Sequence, residues 1–158
     1  MSGRRVCFRA ALPAIAETVA APYLHGMERP ILPPALADIE AIAREALERL
    51  PEPFAGWLTD VVLRVEDFPD EEVMDAMGLE TPFDILGLYQ GYPVGEKSVS
   101  HSGALPDIIF LYRRPMLDYW AETGESLEDI VVHVLVHEAG HHFGLSDEDM
   151  ERIEASVE

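Results

Sequence analysis

Past Pro33-Pro34 the chain settles into a helical pattern of apolar positions. Leu36, Ile39, Ala43, Ala46, Leu47 and Leu50 recur at helical spacing, while Asp38, Glu40, Arg44, Glu45, Glu48 and Arg49 fall largely opposite. An amphipathic helix is predicted over residues 35–50, stopped by Pro51 and Pro53. The period then switches to two: Val61, Leu63 and Val65 alternate with Val62, Arg64 and Glu66, as in a half-buried strand. A turn at Asp67 to Asp70 leads into a short helix from Glu71 to Met77, ended by Gly78. A second strand is expected over Ile85 to Tyr92, weakened by Gly87 and closed by Pro93. Residues 95–103 form a polar loop. Asp107 to Tyr112 reads as a third strand, its unbroken Ile108-Ile109-Phe110-Leu111 run suggesting burial on both faces. Pro115 suits a first helical position and Gly124 a C-cap, framing a helix over Met116 to Thr123. Helices and strands mix without strict alternation, so the fold class is α+β.

The stretch from Ser126 to Asp147 is ambiguous by propensity, because Val131, Val132, Val134 and Val136 favour a strand. Three features favour a helix. Ser126 and Asp129 have capping-box spacing, no proline interrupts the run, and Gly144 can end it in a left-handed turn. A helix apolar nearly all round is a buried one.

On such a helix His137 and His141 stand four residues apart, so both imidazoles project from one face and can grip one metal ion. Glu138 adjoins the first, where its carboxylate can reach a water on that ion. Gly144 lets the chain double back and bring Asp147 round as a third ligand. Two histidines and a carboxylate with a fourth position open make a catalytic zinc geometry. HExxH alone is a weak signal; Gly144 and Asp147 at the right distances make it specific.

Composition narrows the function. The 158 residues are 48% hydrophobic, enough for one domain with a sizeable core, and carry a formal charge of −19. Residues 1–34 hold four arginines against two glutamates, net +2, which leaves 7 basic and 28 acidic side chains, net −21, for residues 35–158. Such a surface repels nucleic acid and anionic membranes. No run approaches a membrane span, and Cys7, the lone cysteine, fits a reducing cytoplasm. Arg4-Arg5 and the apolar residues after them resemble a signal peptide only faintly, since Arg9, Pro13 and Glu17 interrupt the run. Residues 1–34 are expected to be an N-terminal tail, flexible or loosely docked, and 35–158 the functional domain.

The run His-Glu-Ala-Gly-His-His-Phe-Gly-Leu-Ser-Asp, residues 137–147, resembles that of the minimal zincins, small bacterial proteins classed as zinc metallopeptidases with an HExxHxxGxxD motif. The likeness extends to Leu86-Gly87-Leu88-Tyr89-Gln90-Gly91, to Ile109 through Pro115, and to the closing Ser146-Asp147-Glu148-Asp149-Met150, covering roughly residues 35–158. The resemblance implies a small mixed sheet packed against the buried HExxH helix and further helices. It implies one Zn²⁺ on His137, His141 and Asp147, with Glu138 as the catalytic carboxylate. Only 11 residues follow Asp147, so the methionine-containing turn of the larger metzincins is not expected and Met150 is given no role.

His133 lies one turn before His137 and reads as a core histidine, with a second role beside the metal as the alternative. His142 points about 100° from His141 and suits a structural tie. His101 and His25 are expected in solvent. Tyr112 and Tyr119 are the nearest oxyanion donors, neither assigned, and the strand at 107–112 is the candidate edge for an extended peptide. The expected activity is zinc-dependent hydrolysis of peptide or protein substrates. The alternative is a zinc-containing module that binds peptides or proteins without cutting them; a nuclease is disfavoured by the acidic domain. The sequence leaves the oligomeric state open.

Overall fold

The computed structural model describes residues 4–8, 32–96 and 106–155. They form an α+β fold around one mixed sheet with strand order β1-β3-β4-β2. The strands are β1 (Arg4–Phe8), β2 (Val62–Glu66), β3 (Gly87–Gly91) and β4 (Ile108–Tyr112). The helices are α1 (Leu36–Glu48), α2 (Phe54–Trp57), α3 (Glu71–Met77), α4 (Arg113–Thr123), α5 (Leu127–His142) and α6 (Asp147–Ala155). Strand β3 pairs antiparallel with both β1 and β4, whereas β2 runs parallel to β4.

The alternation of side chains along the sheet divides the apolar residues into two cores. Ile109 and Leu111 of β4 and Tyr89 of β3 face α1, α4 and α5, where Ile39, Met116, Val131, Val134 and Leu135 complete the larger cluster. Leu88 and Tyr112 face the other way, onto Val73 of α3 and Ile85. Burial of β4 on both faces is what its unbroken apolar run predicts. Each fully buried Leu or Ile stabilises the fold by about 1.5–3 kcal/mol.

Residues 4–8 belong to the stretch set apart as a tail, yet they form a strand paired to β3; residues 9–31 lie outside the described residues. The polar loop falls largely outside them too, at 97–103. One expectation is overturned. Strand β4 is hydrogen-bonded to β3 on one side and β2 on the other, so residues 107–112 offer no free edge to a peptide. Helix α4 starts at Arg113 rather than Met116. Pro115 is tolerated as its third residue because the first-turn N–H groups have no intrahelical acceptors. Arg113 anchors this start: its Nε donates to the Pro34 carbonyl at 2.6 Å and its guanidinium to Asp67 Oδ1 at 2.8 Å. Gly78 and Gly124 end α3 and α4 in left-handed conformation, as their positions predict. Among the described residues no helix is long and apolar enough to cross a membrane.

Candidate metal centre

Helix α5 begins at its predicted cap, where Ser126 Oγ accepts the Asp129 N–H at 3.0 Å. It ends at His142, and the chain turns back through Gly144 at φ +88°, a conformation glycine adopts without strain. Leu145 N–H donates to the Gly140 carbonyl at 3.0 Å, closing that turn. Ser146 then caps α6: its Oγ accepts the Asp149 N–H at 3.2 Å and donates to Asp149 Oδ2 at 2.7 Å. These bonds from Ser146 hold the Asp149 carboxyl below the usual carboxylate range. Asp147, the first residue of α6, is thereby aimed back at α5.

Three ligand-type atoms, one each from His137, His141 and Asp147, lie within 4.8 Å of one another, the one such group among the described residues. His137 Nε2 donates to Asp147 Oδ1 at 3.3 Å, and His141 Nε2 lies 3.2 Å from the same oxygen. The two imidazoles are buried, whereas the Asp147 side chain is 57% exposed, so the group opens toward solvent on its α6 side. His141 Nδ1 donates to the Leu145 carbonyl at 2.9 Å, which orients the ring and leaves Nε2 with its lone pair. That Nε2 is buried and makes no hydrogen bond. A buried polar atom without a partner costs about 1–3 kcal/mol, and a cation between the three residues removes that penalty. Neutral imidazole nitrogens with one carboxylate are donors that suit zinc. A cation bound at His137 Nε2 would require the tautomer that carries its proton on Nδ1.

Glu138 is fully buried beneath the start of β3. A β carbon placed on Gly87 would stand 3.2 Å from Glu138 Oε1 and 2.6 Å from Val134 Cγ1. Gly87 therefore lets the sheet press against α5 where the carboxylate sits. Two residues on, Tyr89 hydroxyl meets His142 Nδ1 at 3.1 Å, and His142 Nε2 donates to the Trp57 carbonyl at 3.0 Å. Asp107 Oδ2 is 3.7 Å from the same ring, while its Oδ1 accepts the Tyr92 N–H at 2.9 Å. His142 is thus the structural tie that its angle predicts.

Sequence reasoning missed two supports. Met150 packs its thioether against Gly140, where a β carbon would lie 2.4 Å from the sulfur, and so clamps α6 onto α5. The four-residue α2 places Phe54 and Trp57 against Phe143, with ring centroids at 5.2 and 5.6 Å. A glycine inside the motif was the available signal for the first; nothing local signals the second.

The remaining candidates stand apart from the three ligands. His133 is half-buried and outside the converging group. Tyr112 lies in the second core, on the sheet face away from α5. Tyr119 packs at the margin of the main core, its hydroxyl pKa raised by burial and by the charges of Glu125 and Glu122. His101 and His25 lie outside the described residues.

The family model of the zincin-like metallopeptidases matches residues 58–157, which takes in β2 through α6. No curated protein matches the chain. With a match over more than half its length, the chain belongs to the zincin-like metallopeptidase family.

Proposed function

We propose that this chain hydrolyses peptide bonds with one Zn²⁺ held by His137, His141 and Asp147 and with Glu138 as general base. The observation that carries the reading is the convergence of two buried imidazole nitrogens on one carboxylate oxygen, one nitrogen lacking a hydrogen bond. When bound, the ion supplies Lewis-acid polarisation of the scissile carbonyl and acidifies a water. Glu138 takes a proton from the attacking water as its oxygen joins the carbonyl carbon. The same carboxyl gives that proton to the amide nitrogen as the C–N bond breaks, so acid and amine leave with the protons balanced. Complete burial of Glu138 keeps bulk water from competing for it. The net −21 of residues 35–158 supports a peptide rather than a phosphate-backbone substrate, and lone Cys7 supports a cytoplasmic setting.

The test is Glu138→Ala. It should retain about one zinc per chain by elemental mass spectrometry and lose peptide hydrolysis by about 10²–10⁴-fold, the usual weight of a general base. Full hydrolysis in that variant overturns the mechanism. Zinc-dependent capture of peptides that always stay intact replaces it with the binding-module reading.

A further inference from the structure

The strand of the sheet pressed against Glu138 is β3, and its outer edge is filled by the chain itself. Residues Arg4–Phe8 pair with β3 antiparallel and in unbroken register, from Arg4 opposite Gly91 to Phe8 opposite Gly87. Gly87 is the residue whose missing β carbon admits Glu138. Strand β1 therefore runs as extended backbone beside the point where the sheet meets the proposed general base. Helix α5 packs against β1 as well as against β3 and β4. The other outer edge among the described strands, that of β2, lies two strands away from β3.

An extended peptide joins an exposed sheet edge through main-chain hydrogen bonds. β1 makes that type of pairing in cis, and in the antiparallel sense. Its charge is opposite in sign to that of residues 35–158. The segment Arg4-Arg5-Val6-Cys7-Phe8 carries two arginines and no acid, against a domain of net −21. Opposite net charge steers a basic segment toward an acidic partner.

Resting on the peptidase reading above, we propose that residues 4–8 occupy, as an internal strand, the edge of β3 at which a peptide is received. An incoming peptide must exchange with β1, and those that exchange best are extended segments pairing basic with apolar residues. A strand held in cis competes at an effective concentration of up to about millimolar, which weakens free-peptide binding accordingly.

The experiment uses the full-length, zinc-loaded chain and a fluorescent probe with the sequence Gly-Arg-Arg-Val-Ser-Phe-Arg. Proline lacks an N–H, and neighbouring residues of an antiparallel strand alternate in directing theirs at the partner. Val6→Pro and Cys7→Pro should therefore differ in effect, and the double variant should release β1 whichever residue carries the bond. The double variant should bind the probe at least about tenfold more tightly than the unsubstituted chain. Its amide exchange at Gly87–Gly91 should rise, then fall again with probe. A probe with glutamates for its arginines should bind at least about tenfold more weakly. In the unsubstituted chain, millimolar probe should speed exchange at Arg5–Phe8, a readout that needs no variant to fold. Equal probe affinity in both chains, or exchange at Arg5–Phe8 indifferent to probe, overturns the proposal. Hydrolysis is read separately: probe exchange without cleavage by either chain removes the peptidase reading alone. Cleavage as fast in the unsubstituted chain as in the double variant removes the proposal alone.

Discussion

His141 and His142 are neighbours in sequence, both buried at the end of α5, and their surroundings are opposite. His142 faces the sheet, where one ring nitrogen meets the Tyr89 hydroxyl and the other the Trp57 carbonyl, at 3.1 and 3.0 Å. His141, about 100° round the helix, faces α6. Its Nδ1 is held by the Leu145 carbonyl, while its Nε2 is buried without a hydrogen bond beside Asp147. Burial alone does not tell a metal ligand from a structural tie. Between these two rings the state of the nitrogens does, taken with what converges on them: His142 is tied at both nitrogens, whereas His141 Nε2 shares its surroundings with His137 and Asp147.

The largest expected effect comes from exchanging those two roles. His141→Ala should weaken zinc binding by more than about 100-fold, beyond the 10–100-fold usual for residues that only orient a ligand. Calorimetric titration of the apoprotein measures this. His142→Ala should keep the zinc stoichiometry and lose about 2–4 kcal/mol of stability, since it empties a buried site and removes the hydrogen bonds to the Tyr89 hydroxyl and the Trp57 carbonyl. Zinc at 100 times its Kd should add about 2.7 kcal/mol to the unsubstituted chain and to His142→Ala. That corresponds to a rise in Tm of about 5–10 °C. His141→Ala should rise by no more than about 2 °C at that zinc concentration. The reverse pattern would mean that the two histidines have been assigned backwards.

Two glycines sharpen the contrast between the sheet side and the α6 side of α5. At Gly87 an added β carbon meets Val134 Cγ1 at 2.6 Å and Glu138 Cγ at 3.1 Å. A β-branched side chain on a helix has almost no other rotamer to move to. Gly87→Ala should therefore cost about 1–3 kcal/mol and lower kcat by displacing Glu138. At Gly140 the added carbon meets Met150 Sδ at 2.4 Å and Cε at 2.6 Å, the far end of a flexible thioether. Gly140→Ala also gains helix propensity of about 1 kcal/mol, so its net effect should stay within about 1 kcal/mol. Thermal melts and steady-state kinetics on the two variants check both statements. Equal damage at both sites would show that α6 is packed as rigidly as the sheet.

What could be read from the sequence was what is local. The caps at Ser126 and Gly78, the turn at Gly144 and the spacing of His137, Glu138 and His141 depend on residues within one or two turns. What escaped is what distant segments decide. Helix α2 spans four residues, too few for a period to register. Arg4-Arg5-Val6-Cys7-Phe8 has no clear alternation, and only its pairing with β3 makes it a strand. Whether β4 has a free edge depends on β2 and β3, more than 15 residues upstream, so the mistaken choice of residues 107–112 for a peptide could not be corrected locally. Gly87 looked like a weak point in a strand; its use is to admit Val134 and Glu138, close to 50 residues further on.

The smallest effect tests how firmly α6 presents its carboxylate. Ser146 Oγ accepts the Asp149 N–H, and both the hydroxyl and the backbone N–H of Ser146 donate to Asp149 Oδ2, at 2.7 and 3.1 Å. Asp147 lies inside that capped first turn. Ser146→Ala should cost about 1 kcal/mol, the typical weight of a lost N-cap. If the turn frays in the apoprotein, zinc binding must reorder it, and the same energy appears as an affinity lowered by about fivefold. Competition with a chelator of known affinity resolves a change of that size, and Ser146→Asp, another good cap, should restore it. Unchanged affinity in Ser146→Ala would mean that the Gly144 turn and the Met150 clamp hold Asp147 by themselves. The α6 side of the centre would then be preorganised by packing, as the His142 side already is by hydrogen bonds.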